Sequence, residues 1–445
     1  MIIMKFGGTS LANAERVKNV ANIVNGRLSR KPIVVVSAVG GVTDKLINVA
    51  KEASKGINPA EKANEIVNIH KEIAKSLNLN EDFLEDDFIN LYDSLNGIYL
   101  LKELSLRSMD LISSFGEILS SKILAKYFNS LGRSSEQYSG WEIGIITNDN
   151  FSNAEILEET YDNIKNNLLD IRGIPIITGF IAKNEEGDIT TLGRGGSDYT
   201  ASIIGSALNV EEIEIWTDVD GIKTADPRIV PNAIQWKVIT FNEASEMAYF
   251  GAKVLHPKTI KPAVNKQIPV RILNTYNPEN KGTVVLKEDG ENHMFRSISS
   301  KNNINVVRIC STDMLLAHGF LAKIFETFNR YKISIDLVST SEVTVSITLD
   351  NINSSLKNLD FAISELNEIG KVEMLMGMSI ICVVGEGIRN KSGVLGRIFN
   401  VCKNLDINVE MVSQGASPLS ISFVVKQEDS EKIIKGLHRE LFENE

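Results

Sequence analysis

MIIMKFGGTSLANAERVKNV, residues 1–20, sets how the chain begins to fold. Residues 2–6 are strand-like, and Gly7 and Gly8 stop them. Thr9 and Ser10 follow. Val17, Val20, Val24 and Leu28 then recur at helical spacing, which predicts a helix over 10–28. The next apolar stretch, PIVVVSAV (32–39), is continuous, as in strands buried on both faces of a parallel sheet. Strand, helix and strand make a βαβ unit. Lys5 ends the first strand beside two glycines. A glycine turn opening a helix is a ready anion site, although the same turn serves equally as a plain connection.

Working outward, residues 44–135 are rich in Lys, Glu, Asn and Leu and read as a helical insertion. Strand patterns return in GIPIITGFIA (173–182), DITTL (188–192), EEIEIWTD (211–218) and PVRILNT (269–275). NEASEMAYFGAKVL (242–255) reads as a helix with Thr240 and Glu243 as a capping box. Alternating strands and helices predict a layered α/β domain to about residue 295.

The last 150 or so residues contain a repeat. HGFLAKIFETFNRYKISIDLVSTSEVTVSITLD (318–350) matches the pattern of SGVLGRIFNVCKNLDINVEMVSQGASPLSISFVVK (392–426). Each copy is preceded by a β run and followed by an amphipathic helix, a βαββαβ unit. The second copy lacks room for its last strand. MFRSISS (294–300) is the free candidate, which predicts that the first unit is inserted into the second.

The chain has 445 residues, 43% hydrophobic and 23% charged, with a net charge of −10. That composition describes a globular protein of more than one domain and argues against a general nucleic-acid surface. Three well-separated cysteines without a CxxC fit a reducing compartment. No HxxxH or HExxH pattern supports a protein-built metal site. No apolar run spans a bilayer, and the early turn at Lys5 is unlike a signal peptide, so the expected location is cytoplasmic.

GxxxxGK[ST] is absent, and GEGIRN (385–390) has two of three dinucleotide glycines. TTLGRGGSDYTASIIGSAL (190–208) is the densest candidate: a strand end, three glycines, then Ser197-Asp198 at a helix start. Arg194 among those glycines can reach a carboxylate bidentately. Thr217 and Asp218 sit at the carboxyl end of a strand, where open α/β sheets bind ligands. Glu117 has a structural reading too, as a capping box with Ser114. Together Lys5, Lys253, Arg194 and Arg228 with Asp198, Asp218 and Glu117 suit phosphoryl transfer between two anions.

KFGGTS, TTLGRGGSDYTA, WTDVDGI, TADPR and FGAKVLHPKTI, in that order, resemble aspartate kinases of the amino acid kinase superfamily. The paired C-terminal units resemble ACT domains. The resemblance implies a three-layer α/β/α sandwich (1–293) followed by two ferredoxin-like βαββαβ ACT domains. The first would be inserted (304–377), and the second built from 294–303 and 378–445. It implies ATP-dependent phosphorylation of the L-aspartate side chain, the first step toward lysine, methionine and threonine.

Carried onto these residues, Lys5, Gly7, Gly8, Thr9 and Ser10 would cradle the phosphates, with Lys5 and Asp198 catalytic. Arg194, Gly195, Gly196, Ser197, Thr43 and the backbone at Phe180 would hold the aspartate carboxylate, and Glu117 the ammonium. Thr217, Asp218, Lys223, Arg228, Lys253 and Val254 would line the nucleotide site, although relatives often carry an aromatic at Lys223. Mg²⁺ would be held mainly by phosphates and water. Met314, His318, Gly319, Phe320, Leu321, Ser334, Asp336, Ser341 and Glu342 match the lysine-binding ACT pattern of the monofunctional enzymes. A homodimer through the ACT units is implied, with a tetramer as the alternative. Two other readings stay open: a glutamate or acetylglutamate kinase, and a non-catalytic amino-acid sensor.

Overall fold

A computed structural model describes residues 1–443 except 170, 250–254, 256, 289–292, 316–317, 351–355, 389–390 and 416. The chain divides into two units. The first holds Met1–Ile222, Lys237–Phe241 and a stretch ending at Glu288. The second holds Lys223–Trp236, part of the stretch after Asn242, and the C-terminal residues. The expected single boundary near 293 is therefore not a single cut. Ala225 and Val230 are buried in the apolar cluster of the second unit.

In chain order the first unit opens with β1 (Ile2–Phe6), α1 (Ala14–Asn25), β2 (Pro32–Val36) and α2 (Val42–Ala53). The helical insertion follows as α3 (Ala60–Ser76), α4 (Glu85–Leu101) and α5 (Leu106–Ser130). Next come β3 (Ser135–Tyr138), β4 (Ile146–Thr147), α6 (Thr160–Leu168), β5 (Ile174–Thr178), β6 (Ile181–Asn184), β7 (Ile189–Thr191), α7 (Gly196–Leu208) and β8 (Glu212–Thr217). The remainder is β9 (Val238–Thr240), α9 (Pro257–Asn265), β10 (Val270–Asn274) and β11 (Thr283–Leu286), while α8 (Phe241–Tyr249) leaves the first unit after its first residue and belongs to the second. Among the described residues an eight-stranded sheet runs β3-β5-β2-β1-β8-β10-β11-β9, with a smaller sheet β4-β6-β7 beside it. The six strands from β3 to β10 are mutually parallel. Burial explains this: β2 and β5 are buried at every position, and β1 at every position but Lys5, as strands covered on both faces are.

Several local readings change. The helix expected over 10–28 starts later. Gly8–Leu11 forms a short 3-10 turn, and α1 begins at Ala14, capped by the Asn13 side chain accepting from Arg16 N at 3.0 Å. GIPIITGFIA is not one strand. It breaks at Gly179-Phe180, where Phe180 takes φ 68°. Ser114 and Glu117 are no capping box. The helix starts at Leu106 under the Ser105 cap, so both sit mid-helix, and Ser114 Oγ donates to Leu111 O at 2.7 Å. Glu243 lies in the first turn of α8, and one of its oxygens accepts from buried Arg296 Nε at 2.8 Å.

In the second unit a six-stranded sheet runs β13-β14-β12-β15-β17-β16, all neighbours antiparallel. Its members are β12 (Ser297–Cys310), β13 (Ile335–Thr340), β14 (Thr344–Asp350), β15 (Lys371–Val384), β16 (Met411–Gln414) and β17 (Ser420–Lys426). α10 (Phe320–Arg330), α11 (Leu356–Leu366), α12 (Val394–Asn404) and α13 (Ser430–His438) complete it. The two βαββαβ repeats share two long strands. Ser297–Lys301 of β12 pairs with Val384–Ile380 of β15 beside β17, while Ile304–Cys310 pairs with β14. The stretch upstream of the first repeat thus fills the edge that the second repeat leaves open. Among the described residues no helix is long and apolar enough to cross a membrane.

Candidate active site

The parallel strands present their carboxyl ends in one row. Phe180 follows β5, Ser37 follows β2, Gly7-Gly8 follow β1, and Thr217-Asp218 end β8. A cavity of about 520 Å³ opens over the β5-β2-β1 half. Its walls include Lys5, Gly8, Thr43, Glu117, Phe180, Arg194, Gly195, Gly196, Ser197 and Asp198. Every residue expected to be catalytic or to bind aspartate therefore faces one space.

Lys5 occupies the strand face opposite Met4 and Phe6, which are core. Its Nζ lies 2.7 Å from Asp198 Oδ1 on the first turn of α7, both side chains being only slightly exposed. Gly195, at φ 72°, starts that helix and turns its amide end toward the cavity. The sequence reading missed a second such start. Gly40 and Gly41 precede α2 and line the same cavity, as does Ser37, whose Oγ donates to Ser197 Oγ at 3.0 Å. A strand run followed directly by Gly-Gly is the signal that could have found them. Gly8 is required by closeness: a Cβ there would lie 2.7 Å from Ala38 O.

Glu117 is 3% exposed. One oxygen accepts from Ala38 N at 3.1 Å, and the other is buried without a hydrogen-bond partner. Burial pushes its carboxyl up to about 8. A buried carboxyl with an open oxygen is suited to receive a cation. Arg194 is exposed on the cavity wall. Asp110 was also missed: it lies on α5, is 1% exposed, and burial raises its carboxyl.

Of the nucleotide candidates, Lys5 and Gly8 line the cavity and the others lie elsewhere. Gly7, Thr9, Thr217 and Asp218 are at the carboxyl ends of β1 and β8, outside the cavity lining; Gly7 N donates to Trp216 O at 3.3 Å. Ser10 is fully buried and its Oγ bonds Thr275 Oγ1 at 2.7 Å, so its hydroxyl is spent on the fold. Lys223 and Arg228 belong to the second unit, where Arg228 is bound to its neighbour Asp226. Lys253 and Val254 lie outside the described residues.

The effector candidates fall in the second unit. Met314, His318, Gly319 and Leu321 surround the start of α10, where Gly319 is the cap at φ 80°. Phe320 turns into the core at 8% exposure. Ser334 precedes β13, and exposed Ser341 and Glu342 form the β13–β14 turn. Asp336 is already paired: Lys301 Nζ lies 2.7 Å from its Oδ2 and 2.7 Å from Asp350 Oδ1. Among the described residues no group of three His, Cys, Asp or Glu could hold a metal ion.

The sequence profile of the amino acid kinase family matches residues 1–274, and that of the ACT domain matches 381–441. Aspartokinase 2, chloroplastic, of Arabidopsis thaliana is 41% identical over 460 residues, covering 100% of this chain and 84% of that protein. Lysine-sensitive aspartokinase 3 of Escherichia coli is 33% identical over 457 residues, covering 100% and 99%. The crystal structure of E. coli aspartokinase III in complex with aspartate and ADP superposes with a TM-score of 0.84 at 33% identity, covering 99% of this chain and 100% of that one. The complex of that enzyme with lysine and aspartate gives 0.84 at 34%, covering 99% of each.

Proposed function

The chain belongs to the aspartokinases of the amino acid kinase family, and from that premise we propose how it works. It transfers the γ-phosphoryl group of ATP to the side-chain carboxylate of L-aspartate, giving 4-phospho-L-aspartate, and L-lysine regulates it. One observation carries the placement of the chemistry. β1 is the strand shared by the cavity half and the nucleotide half of the sheet edge, and it carries Lys5, held by Asp198.

In this reading aspartate fills the cavity. Arg194, with Ser197, Thr43 and the Gly195-Gly196 backbone, takes its α-carboxylate. Glu117 takes its ammonium, and the side-chain carboxylate points to Lys5. The nucleotide phosphates lie over Gly7, Gly8 and Thr9, with Thr217 and Asp218 beside them. The assignment of Lys223, Arg228, Lys253 and Val254 to the nucleotide rests on the motifs alone. Aspartate's side chain is ionised at pH 7, so no general base is needed. The barrier is repulsion between carboxylate and phosphates. Lys5 and the two glycine-started helices lower it by neutralising charge where it gathers. A hard cation fits these oxygen donors, with exposed Asp218, whose Oδ1 accepts from Thr217 Oγ1 at 3.1 Å, a carboxylate at the β8 end. When bound, Mg²⁺ would supply further neutralisation of the phosphates, which with water would be its main ligands. Pairing of two chains through the ACT units, and lysine at Met314, His318–Leu321, Ser334, Asp336, Ser341 and Glu342, complete the proposal. Lysine there must displace or rearrange Lys301 on Asp336.

A coupled ADP-release assay with aspartate, glutamate and acetylglutamate tests the substrate. Turnover is expected with aspartate, and it should fall when lysine is added. Turnover with none of the three would leave the sensor reading, and full activity in saturating lysine would remove the effector assignment.

Glu117 adds a pH test. Its carboxyl is raised to about 8 in the free site, so near pH 7 it is mostly protonated. Binding an ammonium favours the carboxylate, so aspartate binding releases a proton there. The KM for aspartate is expected to fall, by up to about tenfold per unit, as pH rises toward that value, and to level off above it. Glu117→Gln should flatten the profile and raise KM. A wild-type KM that is flat from below pH 7 to above pH 8 would take the ammonium away from Glu117.

A further inference from the structure

Asp110 lies about two turns before Glu117 on α5, on the same side of the helix, and lines the same cavity. Its carboxylate is fully engaged. Oδ2 accepts from Ser152 N at 2.8 Å and from Thr191 N at 2.9 Å. Oδ1 accepts from Ser152 Oγ at 3.1 Å and from Thr191 Oγ1 at 2.9 Å. Both donors belong to segments that shape the substrate wall. Thr191 ends β7, immediately before Leu192, Gly193 and Arg194. Ser152 sits at the tip of the loop between β4 and α6.

That loop is held in a costly conformation. Ser152 has φ 69°, a left-handed value that a residue with a Cβ adopts only under constraint. It packs tightly on the glycine turn: a Cβ on Gly193 would come within 2.7 Å of Asn153 Oδ1. Ala154 N donates to Thr191 O at 2.9 Å, closing the contact from the other side. The turn that carries Arg194 thus leans on a strained loop, and one carboxylate ties both to α5.

We propose that Asp110 is a positioning residue for aspartate recognition, fixing the turn that carries Arg194 against the helix that carries Glu117. It does so through hydrogen-bond geometry. The groups that should grip the two ends of the substrate's amino-acid moiety sit on separate segments, and Asp110 sets their spacing. This rests on the aspartate reading of the cavity.

The bond pattern makes its own control. Two backbone N–H groups require an acceptor at the Oδ2 position. The two hydroxyls at Oδ1 can rotate and accept instead. An asparagine can therefore keep all four bonds, its oxygen on the amides and its NH₂ on the hydroxyls. Alanine keeps none.

The experiment compares Asp110→Ala and Asp110→Asn in the full chain, with KM for each substrate, kcat, and hydrogen exchange of residues 150–154 and 191–196. For Asp110→Ala the KM for aspartate is expected to rise about tenfold or more, with the KM for ATP changed less than about twofold. Exchange in both segments should speed up. Asp110→Asn should return KM to within about threefold of wild type and restore protection. Unchanged aspartate KM in the alanine variant overturns the proposal. So does an equal rise for both substrates, or an asparagine variant as impaired as alanine. Should Asp110→Ala not fold, Ser152→Ala with Thr191→Val removes the two hydroxyl donors and leaves the backbone pair. A severalfold rise in aspartate KM is then expected, and no rise overturns the proposal. Failure of the aspartate reading would be seen separately, as a wild-type chain that does not turn over aspartate, while the exchange comparison still reports on the clamp.

Discussion

Lys5→Ala is expected to lower kcat by about 10³-fold while the KM for aspartate moves by less than about threefold. The asymmetry follows from where the charge acts. On the proposed reading, the transferring phosphoryl group and the attacking carboxylate are still apart in the ground state, where Arg194, Glu117 and the helix ends would hold the substrates. In the transition state negative charge gathers on the oxygens between them, and the Lys5 ammonium is placed to face it. Its position is set by Asp198, 2.7 Å away, on the first turn of α7. Both groups are mostly shielded from water, so the pair is worth more than an exposed one. Lys5→Arg keeps charge but replaces a compact ammonium with a larger planar guanidinium, and should recover little. Asp198→Asn should leave the lysine charged but loosely aimed, costing less than the alanine change. Steady-state kinetics with both substrates separate these outcomes. A Lys5→Ala enzyme with near-normal kcat would move the chemistry away from β1.

Much of the cavity lining was readable from spacing. Lys5 beside Gly7-Gly8, and Arg194 and Asp198 around three glycines, are local patterns whose chemistry does not depend on what packs against them. The parallel sheet was readable too, because strands buried on both faces lose their polar alternation. What escaped depends on contacts distant in sequence. Asp110 looks like any solvated helix residue until Ser152 and Thr191 are brought to it. Phe180 reads as the next residue of a strand, and nothing local announces a left-handed backbone there. Ser114 and Glu117 satisfy a capping rule that the longer run from Ser105 overrides. In the C-terminal repeats the pattern supplied the βαββαβ order. It did not show that β12 and β15 each run unbroken through both repeats, since only strand pairing fixes that. Asp336 carried the right charge for an amine, but its partner Lys301 lies 35 residues away.

Arg194→Ala is expected to act on the other axis, raising the KM for aspartate by about 30- to 100-fold with kcat changed less than about threefold. The side chain is exposed on the cavity wall, on a turn whose glycines let the backbone come close. A guanidinium there can meet both oxygens of an α-carboxylate at once, which a point charge cannot. Arg194→Lys should therefore recover only part of the loss. The α-carboxylate does not change during phosphoryl transfer, so its clamp is felt equally in the ground and transition states. Such an interaction appears in KM rather than kcat. The KM for ATP should stay where it was, because the nucleotide candidates Gly7, Thr9, Thr217 and Asp218 lie outside the cavity lining. Lys5 and Arg194 face the same space, yet the two alanine variants should separate cleanly, one in turnover and one in affinity. Equal and mild effects from both would mean that aspartate does not lie between them, and the orientation of the substrate would have to be reversed.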